Sequence, residues 1–437
     1  MKAAFLGARR LALCCTLLSL SVSISISISM ALAQQSDSAP TPQNTPSSVR
    51  DLVGEAEINN PEIQAAEHGW KAASQASKGA GALPDTHLTV QSFSVGSPRP
   101  FAGFSNSNFA YIGFGASQDL PYPGKRKLRS VVSEREAESL RGQSEAVRQQ
   151  VIGDLKSAYF QLSYLQQTLA VLERNDQVLG TIEQAAESRY RVGVGNQQDV
   201  LKAQLQHTKI LQEITMHHRE AGQLQARLKQ LLGRPQDSPD IVTEFLSLHP
   251  LARTSSDLLK RVQEQNPRVQ TRAAMVSKTD AQVDLAKKEF RPDFSVQYMF
   301  QRTGTSFPAY YMASLSINLP NRGKRRADLA QAVEEREQAR QELSAETQRQ
   351  MAEVQSQYVL AQTSAEQLKI YTEGLIPQSR TAFRSALAAY QSNQQDFAPM
   401  LSSFLDLLNL DLEYQRELAT HESALARLET LTGVTLQ

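Results

Sequence analysis

Residues 120–127 read Leu-Pro-Tyr-Pro-Gly-Lys-Arg-Lys, and residues 319–326 read Leu-Pro-Asn-Arg-Gly-Lys-Arg-Arg. Each stretch follows a run rich in aromatic and aliphatic residues and opens a long segment with almost no Gly or Pro. Because proline cannot donate within a sheet and glycine permits a tight turn, each stretch predicts a strand, a turn and a long helix. The junction residues of the two copies are Pro121, Gly124, Lys125 and Arg126, and Pro320, Gly323, Lys324 and Arg325.

The repetition extends beyond this motif. Asp51 and Asn60-Pro61 in the first copy match Asp257 and Asn266-Pro267 in the second, at the same spacing. The sequence therefore predicts a structural duplication in which helix, strand, strand, long helix and returning helix occur twice. We expect the repeats to cover residues 51–245 and 246–437. Further matched pairs are Pro84-Asp85 with Pro292-Asp293, and Leu231-Leu232-Gly233 with Leu431-Thr432-Gly433.

The chain begins with features of a secretory signal. Residues 1–33 carry three bases, an apolar and serine-rich core, and Ala31-Leu32-Ala33 before Gln34. Both cysteines, Cys14 and Cys15, lie inside this segment, so the mature chain is expected to have no thiol. Residues 34–50 are polar and proline-rich, which predicts a flexible leader.

Composition excludes several classes of protein. The formal net charge is +1, and this near-neutral balance does not suit a nucleic-acid partner. The histidines, including the neighbours His217 and His218, are interpreted as solvated helix residues rather than metal ligands. No nucleophile, phosphate loop or metal motif is recognisable. We therefore predict a protein that is not an enzyme and has no cofactor.

Four strands are predicted at about residues 87–95, 108–119, 293–302 and 309–319. Phe294, Val296 and Tyr298 alternate with polar residues, which indicates a strand with one apolar and one polar face. Strands of roughly ten residues fit a tilted transmembrane strand, but the alternation alone favours two ordinary hairpins half-buried in a soluble domain. After the signal, no apolar run is long enough for a spanning helix, so a membrane-spanning form requires a closed barrel.

The helices attached to these strands favour the membrane interpretation. From Lys125 to about Tyr190 the chain has no proline, and such a helix approaches roughly 100 Å at 1.5 Å per residue. Its apolar residues step by threes and fours, which predicts a coiled-coil seam. The seam residues are Ile152, Leu155, Tyr159, Leu162, Leu165, Leu169 and Leu172, and in the second copy Met351, Val354, Tyr358, Ala361 and Leu368.

Taken in order, these motifs resemble the TolC-like outer-membrane efflux proteins across the mature chain. The resemblance rests on the duplicated halves, the two junctions, the Gly-Leu-Ile-Pro helix break at Pro377, and one motif at the end of the first long helix. The residues of that motif are Tyr190, Gly193, Asp199, Val200, Leu201 and Ala203. The second copy departs from it, because Tyr390 to Asp396 is about three residues shorter than Tyr190 to Asp199, and Pro399 replaces a helix former.

The resemblance implies a mixed fold of α-helices and transmembrane β-strands. It implies a homotrimer in which each chain gives four strands to a twelve-stranded β-barrel and its helices to a periplasmic coiled-coil tunnel. It also implies a passive exit channel in the outer membrane of a Gram-negative-type cell, within a tripartite efflux or type I-like export system. The implied partners are a periplasmic adaptor protein and an inner-membrane pump such as an RND transporter.

Oligomerisation also follows from the strands themselves. Four strands cannot close around a channel, and an open sheet edge in hydrocarbon costs several kcal/mol for each unpaired backbone group. Other copies must therefore complete the barrel. The alternative hypothesis is a secreted periplasmic coiled-coil adaptor or scaffold protein with soluble hairpins.

Three groups of residues are candidate sites. Bases at the junctions either reach phosphates of outer-membrane lipid or are simply solvated. The aspartates past the helix ends either cap or electrostatically favour the starts of the returning helices, or form carboxylate rings that favour cations, with Asp199 as the counterpart of Asp396. The gate candidates are Asp396 and Asp199; the expected adaptor contacts are Val192, Gly193, Val194, Gly195, Asn196, Ser392 and Asn393.

Overall fold

The computed structural model describes residues 46–94, 110–303, 309–434 and 436. The predicted signal and most of the predicted leader lie outside the described residues. Each half has the predicted order of helix, strand, strand, long helix and returning helix. The first half consists of α1 (Val49–Asn59), α2 (Pro61–Ala80), β1 (His87–Phe93), β2 (Tyr111–Leu120), α3 (Lys125–Arg191) and α4 (Gln197–Leu232).

The second half repeats these elements with one interruption. A short π-helix, Tyr371–Leu375, divides its long helix just before Pro377 and accounts for the predicted break. The second half consists of α5 (Ser255–Gln265), α6 (Pro267–Lys288), β3 (Asp293–Thr303), β4 (Tyr310–Asn318), α7 (Arg322–Ile370), α8 (Ile376–Gln391) and α9 (Phe397–Thr432).

The strands form one antiparallel sheet in the order β1-β2-β3-β4. The two halves meet at the β2–β3 pair, where Leu120 lies opposite Phe294. β1 and β4 are the two edges of the sheet. Apolar side chains at alternate positions of the edge strands, such as Leu88 and Ile317, are exposed in the single chain. One sheet face is therefore apolar without being covered by the chain's own helices.

Two buried asparagines fix the kink between paired helices in each half. The side-chain oxygen of Asn60 accepts from the amides of Glu62 and Ile63, and its side-chain amide donates to the Leu231 carbonyl at 2.8 Å. Asn266 makes the equivalent three bonds with the amides of Arg268 and Val269 and the carbonyl of Leu431. Each asparagine therefore caps one helix and fastens it to the end of a returning helix.

Replacing Asn60 with Ala is expected to lower the free energy of unfolding by about 2–4 kcal/mol, since a cap is lost and a buried carbonyl loses its donor. The exposed neighbouring variant Asn59→Ala should change it by less than about 0.5 kcal/mol. Thermal unfolding followed by circular dichroism in detergent measures the difference. Equal melting temperatures for the two variants would contradict the role of Asn60.

The core lies along the long helices and is duplicated like the sequence. The predicted seam residues Leu155 and Leu162 of α3 are fully buried, as are Val354 and Ala361 of α7. A third apolar cluster lies near the end of the helices that is far from the sheet, and it joins α3 and α4 to α8 and α9. The four helices therefore pack together near their free ends.

Among the described residues, no helix combines the length and apolarity needed to cross a membrane.

Candidate functional site

Lys125 lies in a buried ion-pair site at the strand-to-helix junction. Its side chain is only 1% exposed, and its Nζ lies 3.1 Å from Glu289 and 3.0 Å from Asp293. The same nitrogen donates to the carbonyl of Arg291 at 3.0 Å. Asp293 also accepts from the backbone amide of Tyr122 at 2.8 Å. This junction site connects the start of α3 to the segment between α6 and β3.

The burial of Lys125 corrects one sequence-based hypothesis. A fully paired and buried ammonium neither reaches lipid phosphates nor remains solvated, so neither proposed role applies to Lys125. Gly124, directly before it, has a φ of 94°, a conformation that glycine adopts at little cost. The turn and the ion pairs together fix the start of α3. Lys324, the equivalent base of the second copy, is exposed.

The two helical hairpins end in turns of the same conformation. Gly193 has a φ of 77°, and Asn393 has a φ of 59° and is the one non-glycine residue with positive φ in the described ranges. The amide of Val194 donates to the Arg189 carbonyl at 3.0 Å, which closes the end of α3 in the Schellman manner. Asparagine tolerates this left-handed conformation better than most residues, so Asn393 replaces a glycine here.

We name residues 192–196 the first tip and residues 392–396 the second tip. The returning helices begin at Gln197 and Phe397, so the tips have equal lengths. The prediction of a shorter second tip is therefore wrong. It matched Asp396 with Asp199, whereas the equivalent residues are those with positive φ, Gly193 and Asn393. Asp396 corresponds to Asn196, and the counterpart of Asp199 is Pro399. Pro399 lies in the first turn of α9, where proline's missing N–H breaks no intrahelical bond.

The tips differ in surface chemistry. The first tip exposes Val192 and Val194, whereas the second exposes Ser392 and Gln394. A Cβ at Gly195 would lie 3.1 Å from both the Arg189 Cβ and the backbone nitrogen of Tyr190, so any larger residue would require these neighbours to shift. A Cβ at Gly193 would meet open space, and its positive φ is the only requirement for glycine.

Arg189 connects the two hairpins just above the tips. Its guanidinium carbon lies 4.3 Å from the centre of the Tyr390 ring, and Nη1 donates to the Tyr390 carbonyl. Tyr390 also packs edge-on against Phe397, with ring centres 5.6 Å apart. We name the Arg189–Tyr390 pair the tip contact. It was not predicted from the sequence.

The phenol of Tyr390 in the tip contact has a raised pKa. Burial raises the pKa of Tyr390; the Arg189 guanidinium opposes this shift and the Asp199 carboxylate adds to it, so the net direction is upwards. Asp199 is half-buried at the third position of α4. Asp396 is exposed at the N-cap position of α9, and its side chain makes no capping hydrogen bond. Asp396 therefore does not cap α9 through a side-chain hydrogen bond.

Comparison with known proteins identifies the family. The family model described as outer membrane efflux protein matches residues 52–234 and 258–431. The chain belongs to the outer membrane efflux protein family. The two matched ranges fall on the two structural halves. No curated protein sequence matches the chain significantly.

Solved structures agree with this family membership. The outer membrane protein VceC from Vibrio cholerae is 18% identical with a TM-score of 0.76, over 89% of this chain and 97% of that one. The outer-membrane channel OprN is 17% identical with a TM-score of 0.76, over 89% of this chain and 90% of that one. The Neisseria gonorrhoeae channel MtrE, solved in its open state, is 16% identical with a TM-score of 0.72, over 89% of each chain. These likenesses establish the fold.

One buried histidine of this efflux protein differs from the sequence-based interpretation. His421 is fully buried, with Nδ1 2.9 Å from the Ala361 carbonyl and Nε2 2.8 Å from the His249 carbonyl. Both ring nitrogens therefore lie within hydrogen-bond distance of backbone carbonyls. The interpretation of the histidines as solvated is therefore wrong for His421. Its partners are distant in the sequence, and no local pattern identifies them.

Proposed function

We propose that the protein is the outer-membrane exit channel of a tripartite efflux system and conducts substrates passively out of the cell. Family membership supports this function, and one structural observation carries it. A small antiparallel sheet with an exposed apolar face continues directly into helices of up to 67 residues. An apolar sheet face exposed to water is costly, whereas the same face stabilises a strand array in lipid.

We further propose that three copies assemble. The sheet has four strands and two open edges, and unpaired backbone groups at these edges cannot be tolerated in lipid. Three chains would supply twelve strands for a closed β-barrel. The helices of the three chains would then surround one periplasmic tunnel that ends at the tips.

Reconstitution separates this channel from the alternative hypothesis, a soluble coiled-coil scaffold. The purified protein is expected to conduct ions in planar bilayers and to migrate as an oligomer in electrophoresis until it is boiled. A scaffold gives neither result. Recovery of the native protein in the periplasmic soluble fraction, without conductance after reconstitution, would refute the channel.

We also propose that the tips contact a periplasmic adaptor protein, which couples the channel to an inner-membrane pump of the RND kind. The tips are the free ends of the hairpins, and the first tip presents the exposed apolar side chains of Val192 and Val194. Apolar side chains on a turn suit burial against another protein. The more polar Ser392 and Asn393 of the second tip would complete the contact.

Replacing Gly193 with Arg is expected to reduce export by at least tenfold, because a long cation then projects from the first tip into the adaptor contact. Gly193→Asn is the matched control, since Asn393 already adopts the left-handed conformation at the equivalent position. Export is measured as the minimum inhibitory concentration of a pump substrate, and trimer yield by electrophoresis. Normal export by Gly193→Arg at wild-type yield would exclude the proposed contact between the first tip and the adaptor protein.

For the inner mouth of the channel we propose that Asp396 contributes a ring of three carboxylates, with Asp199 nearby in the first hairpin. Asp396 is exposed and free of a capping bond, so its charge is available to passing ions. Asp396→Asn is expected to lower the cation-to-anion permeability ratio severalfold, because a carboxylate ring favours cations. Reversal potentials in bilayers measure this ratio, and Asp199→Asn provides a half-buried comparison. If the permeability ratio is unchanged in both single variants and in the double variant, neither aspartate determines the ion selectivity.

A further inference from the structure

The two halves of the sequence are equivalent, but only one of their two junctions is satisfied within the chain. At the first junction, Lys125 follows β2 and pairs with Asp293, which begins the neighbouring strand β3. At the second junction, Lys324 follows β4 and is exposed. The residue equivalent to Asp293 is Asp85, which precedes β1 and is also exposed. Among the described residues, neither Lys324 nor Asp85 has an ion pair, so the second site is incomplete.

The strand order explains why the second site stays open. β2 and β3 are neighbours within the chain, whereas β4 and β1 are the two edges of the sheet. The chain therefore carries the base of the second site on one edge and its acid on the opposite edge. Only a second copy placed beside β4 can bring the two together.

We propose that Lys324 of one chain pairs with Asp85 of the partner subunit, in a second junction site that forms only on assembly. This inference rests on the proposed trimer and adds its specific contact. By equivalence with Tyr122, the backbone amide of Asn321 donates to the same carboxylate. The carbonyl of Leu83, equivalent to that of Arg291, accepts from Lys324.

The second base of each motif supports this equivalence. Arg126 donates to the Gly81 carbonyl at the end of α2, and Arg325 lies 3.5 Å from Glu289 at the end of α6. Gly81 and Glu289 occupy equivalent positions, each four residues before the aspartate of its half, Asp85 and Asp293 respectively. The second base thus contacts the helix end of its own half in both copies. The first base alone reaches into the following half.

The edge strands are complementary in the register that this pairing requires. Transfer of the β2–β3 register, in which Ser117 pairs with Gln297, places Ser316 opposite Thr89 of the partner subunit. Ile317 then lies opposite Leu88, and Leu315 opposite Val90. These four side chains are 54%, 81%, 63% and 61% exposed in the single chain. A shift of one residue would instead place each apolar residue opposite a polar one, so the apolar pattern selects the proposed register.

The intersubunit site differs from the first junction site in charge. Glu289 gives the first site a second carboxylate, whereas Gly81 stands at its equivalent position in the second site. The intersubunit pair therefore has one carboxylate for one ammonium. We expect it to be weaker than the buried site around Lys125 and more sensitive to salt.

Cysteine pairs test the register directly, because the mature chain is expected to contain no native thiol. Thr89→Cys with Ser316→Cys should yield covalent dimers and trimers on oxidation, since directly opposite residues are close enough for a disulfide. The equivalent pair Ser117→Cys with Gln297→Cys is the control and should close within one chain. Thr89→Cys with Ser314→Cys, which is out of register, should remain monomeric.

Two outcomes overturn different statements. If the cysteine-free protein is a trimer by native mass spectrometry but the Thr89/Ser316 pair forms no intersubunit disulfide, the proposed register is wrong. The proposed function as a channel is not contradicted by that result. If no oligomer exists, the proposed function itself fails. Both results are read from the same preparations.

Charge reversal tests the ion pair itself. Lys324→Glu and Asp85→Lys should each lower trimer yield by about tenfold, because like charges then meet at the subunit contact. The double reversal should restore most of the yield, since the charges are again opposite. Lys127→Glu, an exposed base of the first motif, is the control and should leave the yield unchanged. Additive losses in the double variant would refute the Lys324–Asp85 pair.

Discussion

Replacing Lys125 with Met is expected to lower the free energy of unfolding by about 3–5 kcal/mol, the largest effect of any single change considered. The substitution removes the one ammonium that Glu289 and Asp293 share and leaves two carboxylates close together. Removing one partner of a buried pair costs more than the pair contributes, because the remaining charge is desolvated without compensation. Arg129, 3.4 Å from Glu289 and more exposed, offsets only part of this loss.

The experiment compares Lys125→Met with Lys127→Met. Lys127 belongs to the same motif but is exposed, so its variant should unfold like the wild type. Urea unfolding of the detergent-solubilised protein, followed by far-ultraviolet circular dichroism, gives the unfolding midpoints of both variants. If Lys125→Met is as stable as Lys127→Met, the junction site does not stabilise the fold.

Replacing Arg189 with Ala is expected to raise single-channel conductance and to sensitise cells to large antibiotics. Arg189 makes a cation–π contact and a charged hydrogen bond to the second hairpin, and both are lost in the variant. Together these are worth about 2 kcal/mol, so we expect the ratio of separated to contacting hairpins to rise roughly thirtyfold. The result depends on the proposal that the hairpin ends surround the inner mouth of the channel.

Arg191→Ala is the matched control for this experiment. Arg191 is exposed at the end of the same helix, and its ion pair with Glu187 lies within that helix. Its loss should leave conductance unchanged. Equal conductance of the Arg189 and Arg191 variants in planar bilayers would show that the tip contact does not hold the hairpins together.

Much of the architecture could be predicted because the sequence signals it locally. Proline and glycine end each strand at the Leu-Pro-x-x-Gly motifs, and the absence of proline after Lys125 predicts the long helix. The buried faces of α3 and α7 follow from apolar residues at helical spacing, as Leu155 and Val354 illustrate. Repetition of the whole pattern reinforced each of these predictions.

The contacts that were missed join residues far apart in the sequence. Lys125 contacts Glu289 and Asp293 because β2 and β3 are adjacent in the sheet. Residue spacing in the sequence does not reveal which strands are neighbours. The tips were misaligned for another reason. Asn393 and Gly193 differ chemically but share one backbone conformation, so the matching aspartates gave a false correspondence.

The π-helix at Tyr371–Leu375 records a one-residue insertion in the second half. Equivalent residues are 199 positions apart before it, as Lys125 and Lys324 are, and 200 positions apart after it, as Tyr190 and Tyr390 are. An extra residue in an uninterrupted α-helix would rotate everything beyond it by about 100°. A π-helix absorbs that residue within one wide turn. Tyr390 consequently still faces Arg189, and the two hairpins remain in phase despite their unequal lengths.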